Sequence, residues 1–137
     1  MKRTSLLFAL ALCVAVVGCG RVYGPVKQVE ALIEEKDAVL SEISKKLEQS
    51  PSVAGIAEAS KILASKRDSL KAKKKAINDA PQGMNVDWQQ LLYHSEDHDK
   101  QMFEQMRAKT MIACMPCPSG VLDGIGKLEK DFNDAVK

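Results

Sequence analysis

Apolar side chains recur through most of this chain in steps of three and four, the spacing of one face of an α-helix. Val26, Val29, Ile33, Lys36, Leu40, Ile43 and Leu47 form the first such seam, apolar at every position but Lys36. It predicts a helix over 25–49, with Pro25 tolerated in its opening turn. Val53, Ile56, Ser60, Leu63, Arg67, Leu70, Lys74 and Ile77 form a second seam. Ser50-Pro51 separates the two, and the pair predicts Ser50 as N-cap with Pro51 at the first helical position. So short a turn makes an antiparallel hairpin.

Pro81 and Gly83 mark 78–86 as a loop. Asp87 and Gln90 fit a capping box that opens a third helix over 87–113. At 100° per residue its apolar face gathers Trp88, Leu91, Leu92, Met102, Phe103, Met106 and Ala113. Trp88 on that face reads as core rather than as an interface anchor. A last helix, from about 119, carries Val121, Ile125, Leu128, Phe132 and Val136, with three glycines near its start. No strand alternation appears in the sequence. The predicted fold is all-α: an elongated antiparallel helical hairpin, a third long helix and a short C-terminal helix, in a three- or four-helix bundle.

Composition agrees. Ala, Leu, Lys and Glu are plentiful and aromatic residues make up only 4%, which favours helix over strand. Charge is segregated by element. Residues 24–49 hold four basic and six acidic side chains, 61–75 seven basic and one acidic, and 85–105 one basic and five acidic. The basic stretch predicts either an anion-binding face around Lys71–Lys75 or a basic helix held between two acidic ones. The second is the default, because no aromatic residues interleave for base stacking. No nucleic-acid partner is expected.

Polar residues inside the stripes suggest contacts. Asp99 falls within the stripe of the third helix, and Arg67 and Lys74 within that of the second. The expectation is a polar layer in which Asp99 pairs with Arg67 or Lys74 and fixes the helix register.

The N-terminus changes the picture. Met1-Lys2-Arg3 is positive, and Leu6–Val17 is an apolar run of twelve residues, short of the roughly 20 that span a bilayer. Val16-Val17-Gly18-Cys19 follows. This resembles the lipobox of bacterial lipoproteins. The resemblance covers only the first 20 residues. It implies a cleaved signal peptide at 1–18, a diacylglycerol thioether on Cys19 with a further acyl chain such as palmitate on the new N-terminus, and a tether at 19–24 before a helical domain at 25–137. It also implies a membrane partner reached through the acyl chains. Gly20, rather than Asp, after the cysteine implies the periplasmic face of an outer membrane where the cell has one. Loss of Lys2 and Arg3 leaves 18 basic and 18 acidic side chains in 119 residues, a formal balance.

The remaining chemistry lies around 94–117. His94 and His98 stand one turn apart, as two metal ligands on one helix must. Met102, Met106, Met111, Cys114, Met115 and Cys117 follow, a donor set suited to copper, or to zinc with fewer ligands. Surface histidines beside core methionines are the default reading. His94-Ser95-Glu96-Asp97-His98 lacks the glutamate placement that a zinc protease needs. Cys114-Met115-Pro116-Cys117 resembles the C-x-P-C centre of thioredoxin-like proteins, but it closes a helix instead of opening one. In an exported protein it predicts a structural disulfide. The function expected is therefore non-enzymatic: a lipid-anchored helical module that binds or spaces envelope proteins, or associates with itself, with no cofactor. A copper- or zinc-binding lipoprotein using His94 and His98, a thiol-disulfide protein using Cys114 and Cys117, and an anion binder are the rivals.

Overall fold

The computed structural model describes residues 24–82 and 87–137, and Cys19 with the rest of the signal region lies outside them. Among the described residues the chain forms four helices and no strand: α1 (Val26–Gln49), α2 (Val53–Asp79), α3 (Asp87–Ala113) and α4 (Val121–Val136).

The turn between α1 and α2 differs from expectation by one cap. Ser50 closes α1, its N–H donating to the Lys46 carbonyl at 3.0 Å. Ser52 is the N-cap of α2, and its hydroxyl accepts the Gly55 N–H at 3.2 Å. Proline disfavours helical backbone in the residue before it. Ser50 is already used as the C-cap of α1, so Pro51 lies in the turn rather than at the first helical position and the N-cap falls to Ser52. Gly55 sits inside this turn. A Cβ there would lie 1.8 Å from the Ser50 carbonyl oxygen, so only glycine lets the chain reverse so tightly.

The helices alternate in direction. Glu48 meets Lys109 at 2.8 Å near the far ends of α1 and α3, while Gly24 lies against Trp88 near their beginnings, so these two run parallel. Lys46 pairs with Glu58 at 2.8 Å, which makes α1 and α2 antiparallel. Arg107 pairs with Glu129 at 3.0 Å, and the Phe103 and Phe132 rings meet edge to face at 5.6 Å, which makes α3 and α4 antiparallel. Each helix touches two others: α1 packs on α2 and α3, and α4 packs on the same two. α1 and α4 face each other across one diagonal, α2 and α3 across the other.

This arrangement explains the buried stripes. α1, flanked on both sides, buries Leu32 and Val39 in addition to its seam, and leaves Val26 and Ile33 half-exposed. α2 turns Ala59 inward and leaves Val53, Ser60 and Arg67 exposed. α3 does not follow the expected face. Its buried line is Trp88, Ser95, Asp99, Phe103, Met106 and Thr110, while Leu91 and Ala113 are exposed. α4 buries Val121, Ile125, Leu128, Phe132 and Val136, as its spacing predicts, and begins after Gly120, whose φ of +93° suits glycine. Trp88 is core, with its Nε1 donating to the Gln82 carbonyl at 3.2 Å.

The Gly55 position gives a test that runs against helix propensity. Gly55→Ala should gain about 1 kcal/mol as a helical residue. The clash with a backbone carbonyl, which cannot swing away, should outweigh this and leave the protein about 1–3 kcal/mol less stable by urea unfolding.

Candidate functional site

The most chemically unusual feature lies between the parallel helices α1 and α3. Lys36, at the one polar position of its seam, is 1% exposed, and its ammonium pairs with the Asp99 carboxylate, itself 3% exposed. The same Nζ donates to the Ser95 hydroxyl at 2.7 Å. Asp99 and Ser95 are four apart and project from one face of α3. The second Asp99 oxygen, Oδ1, is buried and has no hydrogen-bond partner among the described residues. Burial pushes the Asp99 carboxyl above its ordinary value of 3.8, against the opposing pull of the hydrogen bond and charge of Lys36.

Asp99 thus belongs to a polar layer, but neither Arg67 nor Lys74 is its partner. Both stand on α2, which lies diagonally across the bundle from α3 and makes no packing contact with it. Arg67 is exposed and Lys74 half-buried. The cation comes from α1 instead. The sequence carried part of this signal, since Lys36 and Asp99 both fall within apolar stripes, but so do Arg67 and Lys74. Ser95 gave less, because a serine reads equally well as a surface residue.

The sulfur and imidazole groups do not converge. His94 and His98 are exposed on α3, and His98 Nε2 lies 3.6 Å from an Asp37 oxygen. Met106 is buried and Met102 half-buried, whereas Met111 and Met115 are exposed. Cys114 and Cys117 are joined in a disulfide, with Cα atoms 4.7 Å apart, immediately after the last residue of α3. Among the described residues no three His, Cys, Asp or Glu side chains gather closely enough to hold a metal ion. Neither cysteine stands in the first turn of a helix, where a helix dipole would stabilise a thiolate. The disulfide reverses the chain between α3 and α4.

The basic stretch also departs from expectation. α2 adjoins acidic α1 but not acidic α3. Glu35 of α1 lies 3.5 Å from Lys73 and accepts a hydrogen bond from Ser69 at 2.9 Å. Those contacts engage one flank of α2 only. No family model, curated protein or solved structure matches the chain.

Removing one member of the buried pair, by Lys36→Met or Asp99→Leu, strands the other charge and should cost about 3–5 kcal/mol. The double variant should regain wild-type stability within about 1 kcal/mol, or exceed it. A carboxyl that binds its proton more tightly when folded favours the native state at low pH, and that contribution is lost as pH rises through its folded value. Wild-type stability measured relative to the double variant should therefore fall as pH climbs from about 4 through the raised Asp99 value. At the disulfide, iodoacetamide should leave both Cys114 and Cys117 of the native protein unmodified and label both only after reduction, read by intact mass.

Proposed function

We propose that this protein is an exported lipoprotein, acylated at Cys19, whose four-helix domain acts without catalysis as a membrane-tethered structural and binding module. The observation that carries the reading is Val16-Val17-Gly18-Cys19 behind a short apolar run and a positive N-terminus. The helical domain begins close behind it, with Pro25 leading into α1. No helix among the described residues is long and apolar enough to cross a membrane. Attachment then falls to the acyl chains. A single chain binds marginally, but each further buried CH₂ contributes about 0.8 kcal/mol, so two or three chains hold the protein in place.

The domain suits a module rather than a loose peptide. Its core is closed on every helix, its hairpin turn is capped at both ends, and an ion pair keys α1 to α3. Four residues separate Cys19 from Gly24, so the two lie at most about 17 Å apart. The end of the bundle that carries Val26 and Trp88 is therefore the membrane-proximal end. The disulfide turn, with exposed Met111, Ile112 and Met115, is carried at the distal end, about 35 Å away along α1. Binding to envelope proteins, or to a second copy, would use the outward helical surfaces.

Metabolic labelling tests the anchor. Cells expressing the full chain with an alkyne-palmitate should yield a labelled protein in the membrane fraction. Cys19→Ser should lose the label, retain residues 1–18 and leave the helical domain folded. Label persisting in Cys19→Ser would remove the proposal.

A further inference from the structure

α2 carries three cations at i, i+4 and i+7, Arg67, Lys71 and Lys74, which share one face of a helix. That face is the flank turned away from α1, because Ser69 and Lys73, which meet Glu35, occupy the other flank. Among the described residues none of the three has an ion-pair partner, and Asp131 and Asp134 of neighbouring α4 do not reach them. Acidic α3, which would have neutralised them, lies across the diagonal.

Their height in the bundle matters. A Cβ on Gly124 would lie 2.8 Å from Ile56, so the parallel helices α2 and α4 are level there. Counting down both, α4 ends at Val136, beside about residue 68 of α2. Lys71 and Lys74 lie past that end and are not overlaid by α4. The Glu35 contacts place them about 9–14 Å above the first turn of α1, in the half of the bundle nearest the tether. Exposed carboxylates crowd the other helices instead: Glu34 and Asp37 on α1, and Glu96, Asp97 and Glu104 on α3. On the 61–75 stretch of α2 the carboxylate among the cations is Asp68 alone.

We propose that the Arg67, Lys71 and Lys74 flank docks on anionic phospholipid headgroups of the membrane that holds the Cys19 acyl chains. The bundle then lies along the surface on α2, with its acidic helices turned outward. The inference rests on acylation of Cys19, which brings this flank within reach of the headgroups. Each Lys or Arg near an anionic surface gains enough attraction to shift occupancy about fivefold, and the gain decays within a Debye length of about 8 Å. Repulsion of the α1 and α3 carboxylates gives the docked state its direction.

The test uses the full acylated chain in vesicles of phosphatidylcholine, with or without phosphatidylglycerol, and lysine acetylation read peptide by peptide in a mass spectrometer. With phosphatidylglycerol present, Lys71 and Lys74 should be acetylated about fivefold more slowly, and exposed Lys100 on α3 should be unchanged. High salt should abolish the protection, and Arg67→Gln should reduce it to about twofold. Equal rates on the two vesicle types would overturn the proposal. So would protection by soluble polyphosphate with none by vesicles, which would assign the flank to a free anionic polymer. The mass of the Cys19 peptide in the same digest reads the anchor separately. An acylated peptide with unprotected lysines sinks the docking alone, and an unmodified peptide with protected lysines sinks the anchor alone.

Discussion

Leucine and isoleucine seams attract one another whatever their register, and this bundle has four of them. The buried contact of Lys36 with Asp99 and Ser95 removes that freedom. An ammonium taken out of water tolerates few arrangements, and only one places a carboxylate and a hydroxyl on it at once. Sliding α3 by one turn would bury both charges apart. Placing α3 beside α2 would do the same. The pair therefore holds α1 and α3 as neighbours and aligns them, and α2 lies diagonally from α3 in the same bundle. Its net contribution to stability is small by comparison, because desolvation opposes most of the attraction, as the unpartnered Oδ1 indicates.

That diagonal relation governs the outer surface too. Charges that look balanced along the sequence are not balanced in space. α1 answers one flank of α2, whereas the other flank keeps its cations free. Since α4 is shorter than the other three helices, it does not cover the far part of that flank. Packing in the core thus distributes charge on the outside, and the proposed seating of the domain on its membrane comes from a choice of helix neighbours made in the interior.

Much of the fold was legible in the residues because seams of Val, Leu and Ile at three- and four-residue spacing are strong local signals. The bounds of α1, α3 and α4 came within two residues of those observed. What was not legible depended on long-range geometry. Whether Ser50 or Ser52 caps α2 turns on the backbone of the residue before Pro51. A face centred on the largest apolar residues of α3 takes in Asp99 but passes over Ser95 and Thr110. A strict spacing from Trp88 through Leu92, Ser95, Asp99, Phe103, Met106 and Thr110 would have included them. The partner of Asp99 could not be chosen without knowing which helices adjoin. At the candidate sites the default reading holds: the histidines are on the surface, Met106 is in the core and Cys114 is joined to Cys117, while the exposure of Met111 and Met115 has no counterpart in the helical spacing.

The close fit of Gly124 against Ile56 has a consequence for how this domain can vary. With no side chain at 124, the backbone of α4 comes close to Ile56 of α2. The two positions form a lock whose parts have complementary volumes. A bulkier residue at 124 fits only where 56 shrinks, to valine or alanine. Residues 56 with 124, and 36 with 99, are thus two contacts at which a change on one helix calls for a matching change on another.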